Sequence, residues 1–298
     1  MKKFRKMIGL LVTVLMLTSL LTACGEKNGE SSAPTPTKGA DVTTPGTDYP
    51  ADVKAIVDRG VLRVGVKNAV VGFGYQDPVT QEYTGLEISL AKKIAEKLGV
   101  KVEFTAVTAA TRTELLDSGD IDCVLATFTI TDERKQSWDF STPYFTDYVT
   151  VLVENSSGIK DLKGLVGKKV GVSSGSTSAK ALVKALVEGG VIAKDKFNEE
   201  TFDPATWKEA VTFNQYDDYP TISTALSAGE INAFCVDKSI LAAYHTDKRS
   251  YIDDKFSPQN YGVATKKGSG LTPIIEKEIT AWLSDGTIDG LIKDNGLQ

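Results

Sequence analysis

The chain has 298 residues, of which 41% are hydrophobic and 24% are charged, and its formal net charge is −5. This length is sufficient for two lobes rather than one small core. The acidic balance gives no reason to expect a nucleic-acid partner.

The first 24 residues are typical of an export signal and not of a folded element. A basic start precedes an apolar run at 7–21, which is short for a membrane span. The run ends in Leu21-Thr22-Ala23-Cys24, which resembles the lipobox of bacterial lipoproteins. That resemblance implies a signal peptide at 1–23 and a diacylated Cys24 that anchors the protein to the outer side of the cell membrane. The alternative is a plain secretory signal with a chance cysteine.

Residues 24–50 combine Gly, Ser, Thr and Pro with few apolar side chains, which predicts a flexible tether. The remaining cysteines, Cys123 and Cys235, each lie in an apolar run and are expected to be buried thiols rather than a disulfide. Neither a Cys/His cluster nor a CxxC motif is present, so no metal or other cofactor is predicted. The single histidine, His245, is assigned to a helix end without a catalytic role.

The apolar runs of residues 60–125 predict the order strand, helix, strand, helix, strand, at 60–66, 88–98, 100–107, 112–117 and 121–125. A comparable order follows: a strand at 167–172, a helix at 176–187, and a run at 226–236 that repeats the pattern of 116–126. Two successive α/β units, each with a mainly parallel sheet flanked by helices, are therefore expected.

Two further runs, at 148–154 and 261–267, are interpreted as exposed strands that could form the crossings between the two units. The tail at 273–298 would then return to the first unit, since Ile275, Ile279 and Trp282 have the spacing of a buried helix face.

The stretch from Ala126 to Arg134 follows the buried strand at 121–125. Thr131 is the expected N-cap of a short helix, and Arg134 is placed beyond the carboxyl end of a strand, where α/β sheets bind ligands. A guanidinium there suits a carboxylate or a phosphate. The alternative is a surface arginine paired with Glu133.

A second candidate anion site lies at 173–177, Ser-Ser-Gly-Ser-Thr, between a strand and a helix. The free amides of the helix N-terminus and the Thr177 hydroxyl would hold a carboxylate, whereas the alternative is that Ser176 merely caps the helix. No serine or cysteine has a histidine partner suggested by a motif, so no catalytic residue is predicted.

Three longer stretches are specific: 126–135 (ATFTITDERK), 139–144 (DFSTPY) and 236–241 (VDKSIL). With them, the chain from about 60 to 296 resembles solute-binding protein family 3, the extracytoplasmic amino-acid-binding proteins of ABC importers. It is most similar to the aspartate/glutamate-binding members, with which it shares 64–68 (VGVKN), Thr-Arg at 111–112, 218–220 (DYP) and 256–262 (FSPQNYG).

The resemblance implies a two-lobed periplasmic-binding-protein-like fold of type II, with lobe 1 at 51–148 plus 264–298, lobe 2 at 149–263 and a ligand cleft between them. It implies a monomeric, lipid-anchored receptor that captures a free acidic amino acid by lobe closure and delivers it to the membrane subunits of an ABC permease. A glutamine or broad polar-amino-acid receptor is the alternative. A dehydratase on the same fold is less favoured, because no cleft glutamate suited to that reaction is evident.

The resemblance also implies roles for eight residues. Arg134, with Thr129 and Thr177, matches the group that binds the α-carboxylate of the ligand, and Asp237 matches the acceptor of its ammonium. The remaining four match the surroundings of the side-chain carboxylate, namely Lys67, Arg112, Thr127 and Tyr219.

These charged residues give the site a net charge of +2, which favours acidic over amide and basic ligands. Glu114, close in sequence to Arg112, could neutralise it in part. The segment at 189–209 is longer than the family pattern, and the choice between aspartate and glutamate stays open.

Overall fold

The structure is a computed structural model that describes residues 48–297. The predicted signal peptide, the predicted anchor at Cys24 and all but three residues of the predicted tether lie outside this range. Within the described part of the chain, no helix is both long and apolar enough to cross a bilayer.

The first half of the described chain forms the elements α1 (Ala51–Arg59), β1 (Val61–Val66), β2 (Ala69–Val70), β3 (Gly74–Gln76), β4 (Tyr83–Thr84), α2 (Leu86–Leu98), β5 (Lys101–Ala106), α3 (Thr111–Ser118), β6 (Cys123–Leu125), α4 (Asp132–Ser137) and β7 (Trp138–Phe140). The second half forms β8 (Phe145–Glu154), β9 (Lys168–Ser173), α5 (Ser178–Glu188), β10 (Val211–Tyr216), α6 (Tyr219–Ser227), β11 (Ala233–Asp237), α7 (Lys238–Leu241), β12 (Arg249–Tyr251), β13 (Phe256–Tyr261), β14 (Ala264–Lys266), α8 (Leu271–Ser284) and α9 (Thr287–Asp294).

Two sheets flanked by helices form the two lobes. The first has the order β5-β1-β6-β14-β7, and the second has the order β10-β9-β11-β8-β12, with β13 also paired to β8. Three adjacent strands are parallel in each sheet, whereas β14 runs antiparallel to β6 and β8 runs antiparallel to β11. The sheets are therefore mixed. The antiparallel strands, β8 and β14, are those near the points where the chain crosses between the lobes. The two-lobed fold is confirmed, and the exact lobe bounds stay a prediction.

Helix α2 shows how the sequence builds this architecture. Its apolar positions recur every three or four residues, so one face is buried against the first sheet. The helix ends at Leu98, as predicted, and Gly99 after it takes the left-handed conformation (φ +70°) and donates its amide to two carbonyls of the last turn.

The prediction of exposed strands at the crossings is wrong. Val149, Val151 and Val153 in β8 and Tyr261 at the end of β13 are fully buried. Strand β8 lies inside the second sheet, with β11 on one edge and β12 and β13 on the other, and consecutive residues at 149–153 are all buried, so both of its faces are covered.

Two expectations about the core are confirmed. Helix α8 buries Ile275, Ile279 and Trp282 and packs on β7 and β14 of the first sheet. Cys123 and Cys235 are both buried and free.

Candidate functional site

A small cavity of about 10 Å³, room for about one water molecule, lies between the lobes, beyond the carboxyl ends of β6, β9 and β11. Seven of the eight residues predicted for the ligand site line it: Arg112, Thr127, Thr129, Arg134, Thr177, Tyr219 and Asp237. Lys67 is buried behind them, with its Nζ 5.7 Å from the centre of the Tyr219 ring. A wider cleft of about 620 Å³ adjoins the cavity and shares Arg112, Arg134 and Thr177 with it.

Arg134 is held at the cavity by backbone oxygens from both lobes. It donates to the carbonyl of Thr129 at 2.8 Å in lobe 1 and to the carbonyl of Gly175 at 3.1 Å in lobe 2. Its helix begins as predicted, since the Thr131 hydroxyl accepts the Arg134 amide at 3.1 Å. The alternative of a surface pair is wrong, because Glu133 forms its ion pair with Lys180 instead, at 3.0 Å.

Arg112 is the second guanidinium of the cavity, and only 2% of it is exposed. Its Nη1 donates to the carbonyl of Ala126 at 2.9 Å, while its Nε has no hydrogen-bond partner among residues 48–297. Burial lowers the pKa of Arg112 to about 10, so it remains protonated at neutral pH. Glu114 is exposed to solvent and does not form an ion pair with Arg112 within the described chain, so the expected partial neutralisation is wrong.

Both guanidinium groups lie over the ring of Phe128. The distances from Cζ to the ring centre are 3.9 Å for Arg112 and 4.6 Å for Arg134. An aromatic face stabilises a cation at such distances, so Phe128, which lines the wider cleft, stabilises both guanidinium groups.

Thr127 has a backbone conformation that is rare for a β-branched residue, with φ at +46°. Its amide donates to Glu87 Oε1 at 2.6 Å, and its carbonyl accepts from Arg112 at 3.3 Å. These two buried contacts hold the strained residue at the cavity wall.

Glu87 is a buried acidic residue in contact with the cavity wall that the sequence alone did not indicate. It is fully buried, and the hydroxyl of Tyr144 also donates to its Oε1, at 2.6 Å. Burial raises the pKa of Glu87, while the neighbouring Lys67 and Arg112 act in the opposite direction. Burial and the charge of Arg112 hold the pKa of Lys67 well below its usual range. The net charge of +2 inferred from the sequence therefore omits one nearby carboxylate.

Asp237 forms the acidic wall of the cavity at the end of β11. Its Oδ2 accepts from the hydroxyl of Tyr261, and its Oδ1 is buried without a partner among the residues that the structure describes. Burial raises the pKa of Asp237 to about 7, assisted by the nearby charge of Asp147. An unpaired buried carboxylate oxygen is suited to accept from a cation.

Gln259 connects the two threonines expected near a ligand carboxylate. Its Oε1 accepts from the Thr129 hydroxyl and from the Thr177 hydroxyl, both at 2.7 Å. Ser176 accepts the amide of Ser178 at 3.4 Å, but the N-cap position of α5 is Thr177 and no side chain caps this helix, so the alternative that Ser176 caps it is wrong. Thr177 is placed by its contact with Gln259.

Gly175 lies close to the backbone of lobe 1. It has φ at +73°, and a Cβ atom added there would lie 2.7 Å from the carbonyl oxygen of Ala109. A side chain at this position would separate the lobes on the side of the cavity where Arg134 reaches across.

The long segment at 189–209 contributes to the wider cleft. Phe197, Phe202 and Trp207 pack edge to face with ring centres 5.3–6.0 Å apart, and Phe202 also lines the cleft. This aromatic cluster gives the segment its own apolar support on lobe 2.

Comparison with known families agrees with this geometry. Residues 62–296 match the model of the bacterial extracellular solute-binding proteins, family 3. The chain belongs to this family. The sequence resemblance to that family is thereby confirmed, whereas the resemblance to its acidic-ligand members is not.

Relatives differ in the ligand that their names specify. The chain is 32% identical over 298 residues to the ABC transporter glutamine-binding protein GlnH of Bacillus subtilis, covering 97% of this chain and 96% of that protein. It is 25% identical over 293 residues to the glutamate-binding protein GluB of Corynebacterium glutamicum, covering 92% and 85%. A solved ancestral arginine-binding protein bound to arginine is 34% identical, with a TM-score of 0.67, covering 80% of this chain and 99% of that chain.

Proposed function

We propose that the protein is an extracytoplasmic receptor, anchored through Cys24, that captures L-aspartate or L-glutamate and delivers it to an ABC permease. Its family membership and its relatives among amino-acid-binding proteins support the receptor class. The lobes would close on the ligand because lobe 1 and lobe 2 each supply part of its contacts.

The unpaired Nε of buried Arg112 is the observation that carries the acidic ligand. Arg134 supplies one guanidinium for the α-carboxylate, and Arg112 supplies another for a carboxylate on the side chain. The free Oδ1 of Asp237 accepts the ammonium. Each buried donor or acceptor then gains a partner of opposite charge.

Glutamine is the second candidate, favoured by the identity of 32% with GlnH along nearly the whole chain. An amide oxygen can accept from the Arg112 Nε. It would leave the positive charge of Arg112 without a counter-charge from the ligand.

Titration calorimetry with aspartate, glutamate, asparagine, glutamine, cystine and arginine tests this choice. We expect aspartate or glutamate to bind with micromolar affinity or better, about −8 kcal/mol. Tightest binding of glutamine would reject the acidic assignment and keep the receptor class, while no binding of any amino acid would reject both.

Arg112→Met tests the side-chain carboxylate directly. We expect it to weaken glutamate binding by about hundredfold and glutamine binding by about tenfold or less, because only glutamate loses a charge partner. Arg63→Met is the control, since Arg63 pairs with Asp122 at 2.8 Å on the first sheet and does not line the cavity. Equal losses for both ligands in Arg112→Met would contradict the assignment.

A further inference from the structure

We infer that Glu87 is a positioning residue that lowers the positive charge facing the ligand side chain and so limits the preference for acidic ligands. This inference rests on the proposed function, because it concerns the same cavity. Glu87 does not line the cavity itself and acts through Thr127, Lys67 and Arg112.

The backbone fixes Glu87 at the first turn of α2. Gly85 has φ at +128°, and a Cβ there would collide with the carbonyl of Phe73. The amide of Glu87 donates to the same carbonyl at 3.0 Å, so the start of the helix is tied to the segment that follows β2. The carboxyl group reaches the Thr127 amide from this fixed position.

The hydrogen bonds of Glu87 are incomplete for a buried carboxylate. Oε1 accepts from the Thr127 amide and from the Tyr144 hydroxyl, whereas Oε2 has no partner within residues 48–297. A buried carboxylate with free acceptor capacity requires compensation by nearby positive charge. Lys67 and Arg112 are the cations that act on it.

The charge balance of the cavity changes when Glu87 is included. Counted in their charged forms, Lys67, Arg112 and Arg134 contribute three positive charges and Asp237 and Glu87 two negative ones, which leaves +1, and burial opposes the charged form of Lys67 and of both carboxyl groups. A ligand with charge −1 then gives a neutral complex, and a neutral ligand leaves a single excess charge. Without Glu87 the excess would be one charge larger for every ligand, and discrimination against neutral ligands would be stronger.

Glu87→Gln is the decisive variant, because it keeps an acceptor for the Thr127 amide and removes the charge. The dissociation constants of glutamate and glutamine are measured by calorimetry in the wild type and in the variant. We expect the ratio of the dissociation constant for glutamine to that for glutamate to be about tenfold higher in the variant. The reason is that removing one unit charge near a partly desolvated site changes the binding of a charged ligand by about this factor.

Glu276→Gln is the matched control. The Glu276 carboxylate also accepts a backbone amide and a hydroxyl, both from Thr142, at 2.5 and 2.6 Å. It lies in α8 outside the cavity, so the ratio should stay within about twofold of the wild type.

Tyr144→Phe keeps the inference testable if Glu87→Gln folds poorly. Loss of the Tyr144 hydroxyl removes a donor that stabilises the charged carboxyl, so the ratio should shift in the same direction by a smaller factor. An unchanged ratio in both variants, or an equal loss of affinity for both ligands, would overturn the inference. A wild type that prefers glutamine would reject the proposed ligand and leave the Glu87 inference to be decided by the shift in the ratio.

Discussion

The ends of β6 and β11 are built alike and carry opposite charges. Each strand follows a helix, a glycine with positive φ and a short acidic or amide turn, at 116–126 in lobe 1 and at 226–236 in lobe 2. Beyond β6 the chain continues to Arg134, whereas β11 ends at Asp237. The same local structure thus places a guanidinium on one side of the cavity and a carboxylate on the other, which suits a zwitterion.

The two charges differ in how far the protein itself satisfies them. Arg134 donates to two backbone carbonyls and lies over Phe128. Asp237 has the Tyr261 hydroxyl on one oxygen, and its other oxygen is unpaired within the described chain. Asp237 therefore gains more from a bound ammonium group than Arg134 gains from a bound carboxylate. Removing the charge of Asp237 should have the largest effect on ligand affinity.

Asp237→Asn should abolish most binding of every amino acid. Loss of one partner of a buried ion pair costs about 3–5 kcal/mol, which is a factor of at least about hundredfold in affinity. The thermal midpoint of the unliganded variant should not fall, because burial already disfavours this carboxylate. Asp253→Asn, at an exposed acid of lobe 2, is the control for calorimetry and unfolding. A loss below about threefold would mean that the ammonium binds elsewhere.

Gly175→Ala tests the contact between the lobes. The added methyl group would lie 2.7 Å from the Ala109 carbonyl, so closure should be hindered and all ligands should lose about 1–3 kcal/mol of binding free energy. Gly158→Ala is matched for backbone strain, with φ at +68°, and has open space around its Cα. Both variants should lose similar stability, and only Gly175→Ala should lose affinity. Equal ligand affinities in the Gly175→Ala and Gly158→Ala variants would show that the Gly175 contact does not limit closure of the lobes.

Local signals in the sequence were sufficient for much of the fold, whereas most of the cavity lining followed only from the family resemblance. The periodicity of α2, the capping threonine before Arg134 and the repeated strand ends each depend on neighbours in sequence. Seven cavity residues followed from the family resemblance. The burial of β8 was missed, because the run at 148–154 does not report that helices distant in sequence, α5, α6 and α7, pack against this strand.

Glu87 and Gln259 were missed for a related reason. Glu87 lies in the first turn of a helix, where an acidic residue ordinarily faces solvent near the positive end of the dipole. Its contact with Thr127 joins residues 40 positions apart, and that of Gln259 with Thr129 joins residues 130 apart. The sequence signal available for Glu87 was Gly85, two residues before it. That signal could not be interpreted without the structure, because the glycine is required by the close approach of the Phe73 backbone.

The pH dependence of binding should follow from Asp237. Burial raises its pKa to about 7, and the bound ammonium requires the charged carboxylate, so binding displaces a proton below neutral pH. The affinity should fall by about tenfold from pH 8 to pH 6, while the ligand carboxylates, which titrate near pH 4, stay charged. Calorimetry in buffers of different ionisation enthalpy measures the released proton directly.

Glutamine should be included, because protonation of Glu87 at low pH would strengthen the binding of glutamate and oppose the trend. If the affinity for both ligands does not change between pH 8 and pH 6, Asp237 titrates below pH 6. A cation of the protein would then already compensate the Asp237 Oδ1 in the unliganded state.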